Sequence, residues 1–105
     1  MQFSRNGHAV QVVRITGPAH NLLRLELGTA PGALGVRVLD GTGPTLLGAD
    51  QVAREVLNGV ADANAALGTS VGVRGITYVA SDSPPTSVYR DLARALIEHL
   101  VVEPA

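Results

Sequence analysis

The sequence predicts an α+β domain, a two-layer β-β-β-α-β-α sandwich with a mainly antiparallel sheet and two helices on one face. Three observations carry this. Residues 9–39 hold three short runs of alternating or β-branched residues. Residues 50–67 carry one apolar stripe at helical spacing. Residues 71–102 read as a buried strand, a polar bend and an amphipathic helix, and the rest of the chain is organised around them.

Ala9–Ile15 (AVQVVRI) is rich in β-branched residues and reads as the first strand. The polar stretch before it, residues 1–8, reads as a frayed end or a sheet edge. After the turn at Thr16–Ala19, Asn21–Leu27 alternates, with Leu23, Leu25 and Leu27 on one side and Leu22, Arg24 and Glu26 on the other. Leu34–Leu39 alternates again, and short connections predict an antiparallel meander of these three strands. Its wetter face would carry Arg14, Arg24, Glu26 and Arg37.

The glycine-rich stretch Asp40–Gly48 has no Lys and no Walker or dinucleotide spacing, so it reads as a connector. Asp50 is placed to cap the first helix, whose stripe is Val52, Val56, Val60, Ala63 and Leu67. Leu57, Ala61 and Ala65 form a second flank, and Gly68 is placed to end the helix. In the last helix, Thr86 or Ser87 would cap. Val88, Leu92, Ala95, Leu96, His99 and Leu100 would face inward, with Tyr89, Arg90, Asp91, Arg94 and Glu98 outside.

The length of 105 residues argues for one domain over residues 1–105, and 46% apolar against 16% charged residues is a core-rich composition. Without cysteine there is neither a disulfide framework nor thiolate chemistry. No run approaches the ~18 apolar residues of a membrane span, and the N-terminus lacks a secretory apolar region, so the default location is the cytoplasm with no membrane partner. All eight cations are Arg, which excludes Schiff-base and P-loop lysines. A net charge of −1 argues against nucleic acid as the main partner, although Arg14, Arg24 and Arg37 remain candidate RNA contacts. His8, His20 and His99 lack metal-ligand spacing, and no motif calls for a metal or a cofactor.

The polar bend is the best place for a site. Ser81, Asp82, Ser83 and Ser87 gather at the end of a strand and the start of a helix, where free amides favour an anion. Tyr78 and Tyr89 flank the bend and supply hydroxyls. These six residues are the ligand-binding candidates; the alternative is that Asp82 and Ser83 form a local turn and Ser87 only caps. No catalytic set can be named, and whether the chain is an enzyme stays open.

Element order, together with the Tyr78–Ser83 strand-to-loop segment and the Leu92–Leu96 alanine-containing helix, resembles domain IV of bacterial elongation factor G. That resemblance implies a left-handed βαβ-containing fold and contact with RNA. The chain departs from the pattern in having no Lys and a Pro84–Pro85 pair in the loop, and no functional residue carries over. The residues alone favour a non-enzymatic binding module, with a homo-oligomer or another protein as partner. Leu22, Leu39 and Leu57 are the surplus apolar groups that such a partner would cover. A small enzyme with a pocket at the bend, or an RNA-contacting module, are the alternatives.

Overall fold

The computed structural model describes residues 2–16, 19–28, 35–39, 47–79, 82 and 85–102. The loop at 29–33, Leu34, the connector at 40–46, Ser81, Ser83 and Pro84 lie outside them, as do residues 103–105.

The order is β1 (Gln2–Asn6), β2 (Ala9–Thr16), β3 (Ala19–Leu27), β4 (Gly35–Leu39), α1 (Ala49–Leu67), β5 (Val73–Val79) and α2 (Val88–Val102). The class is α+β, with one five-stranded, mostly antiparallel sheet and two helices against it. Two features of the first strands differ from expectation. The polar N-terminal stretch is a strand, joined to β2 by a two-residue turn in which Gly7 supplies the positive φ that such a hairpin needs at its first central position. And the meander consists of β1, β2 and β3, not β2, β3 and β4.

The strand order is β1-β2-β3-β5-β4. β5 inserts between β3 and β4, antiparallel to the first and parallel to the second. The reason is α1. A long helix between two strands carries the chain back across the sheet, which is how neighbouring strands become parallel. β4 is thereby placed on an edge, and all five of its residues are exposed.

The core lies between the sheet and the helices. Val10 and Val12 of β2, Leu23 and Leu25 of β3, and Ile76 and Tyr78 of β5 point into it. From α1 come Val52, Val56, Val60 and Ala63 as the stripe predicts, whereas Leu67 at the end of the helix stays exposed. The helix is capped by Gly48 in extended conformation and not by Asp50, which falls in the first turn, where its charge suits the helix dipole. Gly68 ends it in the left-handed region, φ +67°, as its position predicts. Asn64 then organises the exit. Its Oδ1 accepts from the Thr69 hydroxyl at 2.8 Å and the Val71 N–H at 3.0 Å, and its Nδ2 donates to the Val71 carbonyl at 3.0 Å.

α2 is rotated from the expected setting. Its buried face is Tyr89, Leu92, Ala93, Leu96 and Ile97, so Tyr89 lies inside; Val88, Ala95, His99 and Leu100 are only half-buried. The rotation comes from its contact with α1. Gly59 of α1 faces the Arg90 backbone so closely that a Cβ there would collide with the Arg90 carbonyl oxygen and meet the Ala93 Cβ at 3.0 Å. Two small residues let the helices touch, and that contact selects which face of α2 turns inward. At the outer rim of the pair Arg90 Nε donates to Asp62 Oδ2 at 2.7 Å, and this hydrogen bond holds the Asp62 carboxyl below its ordinary range. Arg94 and Glu98, one turn apart, pair at 3.0 Å along the exposed side.

Candidate functional site

Two places on the molecule gather polar chemistry. The first is the bend between β5 and α2. The Asp82 N–H donates to the Val79 carbonyl at 3.1 Å, which turns the chain directly after β5. Its side chain, 1% exposed, then reaches across the sheet, and Oδ2 accepts the backbone N–H of Leu22 at 2.8 Å. The β3–β5 pairing ends at Leu23–Tyr78. A carboxylate oxygen thus takes the position of the next strand carbonyl, satisfying a ladder donor that β5 no longer reaches. The role of Asp82 is long-range, tying the bend to β3.

Tyr89, in the first turn of α2, lies under this bend, edge-on to Tyr78 with ring centroids 6.1 Å apart and planes at 70°. Its hydroxyl accepts from Asn21 Nδ2 at 3.3 Å, and Asn21 is itself only 4% exposed. The Tyr78 hydroxyl donates to the Leu47 carbonyl at 3.4 Å, linking β5 to the segment that enters α1. Burial pushes Tyr89 up to about 12; the Asn21 hydrogen bond works against this, and the nearby Asp82 adds to it. Tyr78 is raised as well, first by burial and then by the charge of Asp50.

Such phenols stay protonated and serve as hydrogen-bonding groups. The consequence is measurable, because these are the two tyrosines of the chain. The folded state keeps the Tyr89 proton between pH ~10 and ~12, where an unfolded tyrosine loses it. The contribution of Tyr89 to stability is therefore constant below pH ~10 and is lost between pH ~10 and ~12. In a spectrophotometric titration of the native protein, tyrosinate absorbance is expected to rise well above the ordinary midpoint. Tyr89→Phe should remove part of the alkaline loss of stability.

Of the six ligand-binding candidates, the structure brings Tyr78, Asp82 and Tyr89 together in the interior and leaves Ser87 exposed, its carbonyl accepting the Arg90 N–H at 3.2 Å. Ser81 and Ser83 fall outside the described residues. Asn21 belongs to the cluster and was not singled out from sequence; its position between a turn and a leucine run resembles ordinary strand entry. His99 lies away from the bend, stacked on Phe3 with ring centroids 4.3 Å apart and planes at 9°. Those two residues, with Arg5, Leu96 and Leu100, line a small cleft of about 100 Å³ between β1 and the end of α2.

The second place is the sheet face turned away from the helices. Pairing aligns Gln11, Arg24, Thr77 and Arg37 in one row across β2, β3, β5 and β4. Paired residues share a face, so Arg24 and Arg37 lie on the same open side with Thr77 between them. Arg14 does not join them. It pairs with the buried Asn21 and stands in step with Val12 and Val10, two and four positions before it, which places it half-buried on the helix side. Arg74 takes its place, beside Arg24, Arg37, Glu26 and Thr77 around a shallow groove of about 430 Å³. A register shift between Glu26 and Leu27 lets Arg74 reach that side. Its Nε lies 3.8 Å from Glu26 Oε2.

Among the described residues no three His, Asp or Glu side chains converge as metal ligands, and no helix is long and apolar enough to cross a membrane. In comparisons with known proteins, no family model matches this chain and no curated protein matches it.

Proposed function

We propose that this chain is a small non-catalytic interaction module that pairs with a second copy of itself along β4. One observation carries the reading. Among the described residues β4 is an outer strand of the sheet, and it combines an open edge with exposed apolar side chains: Val36 38%, Val38 43% and Leu39 39%. Unpaired edge amides flanked by valine and leucine are a template for adding another strand. The opposite edge differs. β1 (QFSRN) presents Gln2, Ser4, Arg5 and Asn6, polar groups that discourage pairing.

Two β4 strands related by a two-fold axis would pair antiparallel and join two five-stranded sheets into one. Val36 and Val38 share the face of Ile76 and Tyr78, so pairing would extend the apolar layer under the helices. Leu57 on α1, 43% exposed, adds to the apolar surface on that side of the sheet. At the bend the buried phenols and Asp82 make internal hydrogen bonds, which suits a structural role for these groups better than a catalytic one.

Light scattering across a concentration series tests this. The wild-type mass is expected to rise to twice the monomer value. Val38→Lys, an exposed change that should alter folding stability by no more than ~0.5 kcal/mol, is expected to hold the protein as a monomer. A wild-type chain that stays monomeric at the highest concentrations contradicts the proposal.

A further inference from the structure

We propose that the open-face groove is a binding site for a small phosphomonoester on a non-aromatic scaffold, of the size of a sugar phosphate. The groove brings three arginines, Arg24, Arg37 and Arg74, against one carboxylate, Glu26. Among the described residues neither Arg24 nor Arg37 is in an ion pair, so both guanidinium groups are available to a ligand. They sit two strands apart, about 10 Å between backbones at ordinary strand spacing. From there two long side chains can close on one dianion from opposite sides, each with the two-donor fork that matches phosphate oxygens. Thr77 lies midway on the same row, where its hydroxyl can reach the same oxygens from the floor.

The fourth side is set by Glu26 and Arg74. Gly75 is what allows them to lie there. A Cβ at Gly75 would meet the Glu26 Cβ at 3.2 Å and Oε2 at 3.3 Å, so the bare backbone gives the Glu26 side chain its place across β5. Glu26 in turn stands 3.8 Å from Arg74 Nε at the groove wall. Gly35 pairs with Gly75 on the next strand, which leaves a strip of floor with no side chains beside the cationic row. At about 430 Å³ the groove is larger than a phosphate ion needs and falls in the range of small-ligand sites.

The lining decides what the rest of the ligand is. It contains no aromatic side chain. A nucleobase would find nothing aromatic to stack on, and such stacking adds to the affinity of single-strand surfaces for each base. Polar hydroxyls over bare backbone, with the Leu39 edge at one end, suit a sugar or polyol.

The test is calorimetric titration of the full chain with ribose phosphate, inorganic phosphate, free ribose and a short single-stranded RNA. Ribose phosphate is expected to bind most tightly among the small probes. Arg24→Gln should weaken it ~10-fold, the loss of one hydrogen-bonded charge contact, and Arg24→Gln with Arg37→Gln should abolish it. Arg54→Gln, on the exposed side of α1, should leave binding unchanged. Because Arg24 lies two strands from the β4 edge, its variant keeps the self-association of the wild type, and the two readings fail separately. No binding, or equal loss in Arg54→Gln, overturns the site. RNA binding with a salt slope of several phosphates, at ~0.7 per phosphate, would assign the groove to a polynucleotide and overturn the small-ligand proposal.

Discussion

Gly59→Val is expected to lower the stability of the domain by ~3 kcal/mol, the upper range for forcing extra carbons into a packed contact. The Cβ of any residue here runs into the Arg90 carbonyl oxygen and sits 3.0 Å from the Ala93 Cβ. Both opposing atoms belong to α2, one of them to its backbone, so relief requires the helices to move apart. Helix propensity acts the other way. Replacing glycine in a helix interior with alanine contributes ~1 kcal/mol in favour of the folded state, so Gly59→Ala separates the two effects. If the close approach dominates, Gly59→Ala also destabilises, and Ala61→Val on the exposed flank is nearly neutral. Urea midpoints for the three variants, at unchanged m, give the comparison.

Asp82→Ala should cost ~3 kcal/mol. Truncation removes a charge-assisted hydrogen bond and leaves the Leu22 N–H of β3 without its acceptor, and the penalty for a part-buried orphaned donor is ~1–3 kcal/mol by itself. For a domain of this size each kcal/mol lowers Tm by ~4–8 °C. Asp82→Asn keeps an oxygen at the same place and should lose about half as much. A thermal scan of both variants checks the ranking. Equal, small losses would mean that the bend is held by its backbone turn to Val79 and not by the carboxylate.

Most of the fold was legible because its signals are local. Leu23 and Leu25 alternate with Arg24 and Glu26, and the structure buries the first pair and exposes the second. The α1 stripe and its terminal Gly68 behave as their spacing implies. What was not legible depended on partners distant in sequence. The alternation of Leu34–Leu39 is compatible with any neighbour, and only the return of the chain through α1 decides that β4 pairs with β5. The run from residue 88 to 100 supports two overlapping stripes. One passes through Val88, Ala95, His99 and Leu100, the other through Tyr89, Ala93 and Ile97, and Leu92 and Leu96 belong to both. Gly59 decides between them, and a glycine inside an otherwise regular helix was the available hint of close approach.

The candidate site divides in the same way. Tyr78, Asp82 and Tyr89 were picked out because polar groups flank a strand end and a helix start, and the structure does bring them together. That Asp82 reaches Leu22, sixty positions away in sequence, has no local signature. The arginine groove is a matter of register. Arg24 and Arg37 share a face because both align with Thr77, and Arg74 joins them because the ladder shifts by one residue at Glu26. Arg14 reads as an equal member of the set until its pairing with buried Asn21 places it on the other side of the sheet.

The most direct test of pairing along β4 is amide hydrogen exchange of Gly35–Leu39 at low and high protein concentration. The half of these amides that faces β5 should be protected at both. The account predicts that the outward-facing half exchanges freely when dilute, gains protection as concentration rises, and loses that gain in Val38→Lys. Outward amides that exchange equally fast at every concentration, or protection that appears along β1 instead, would contradict it.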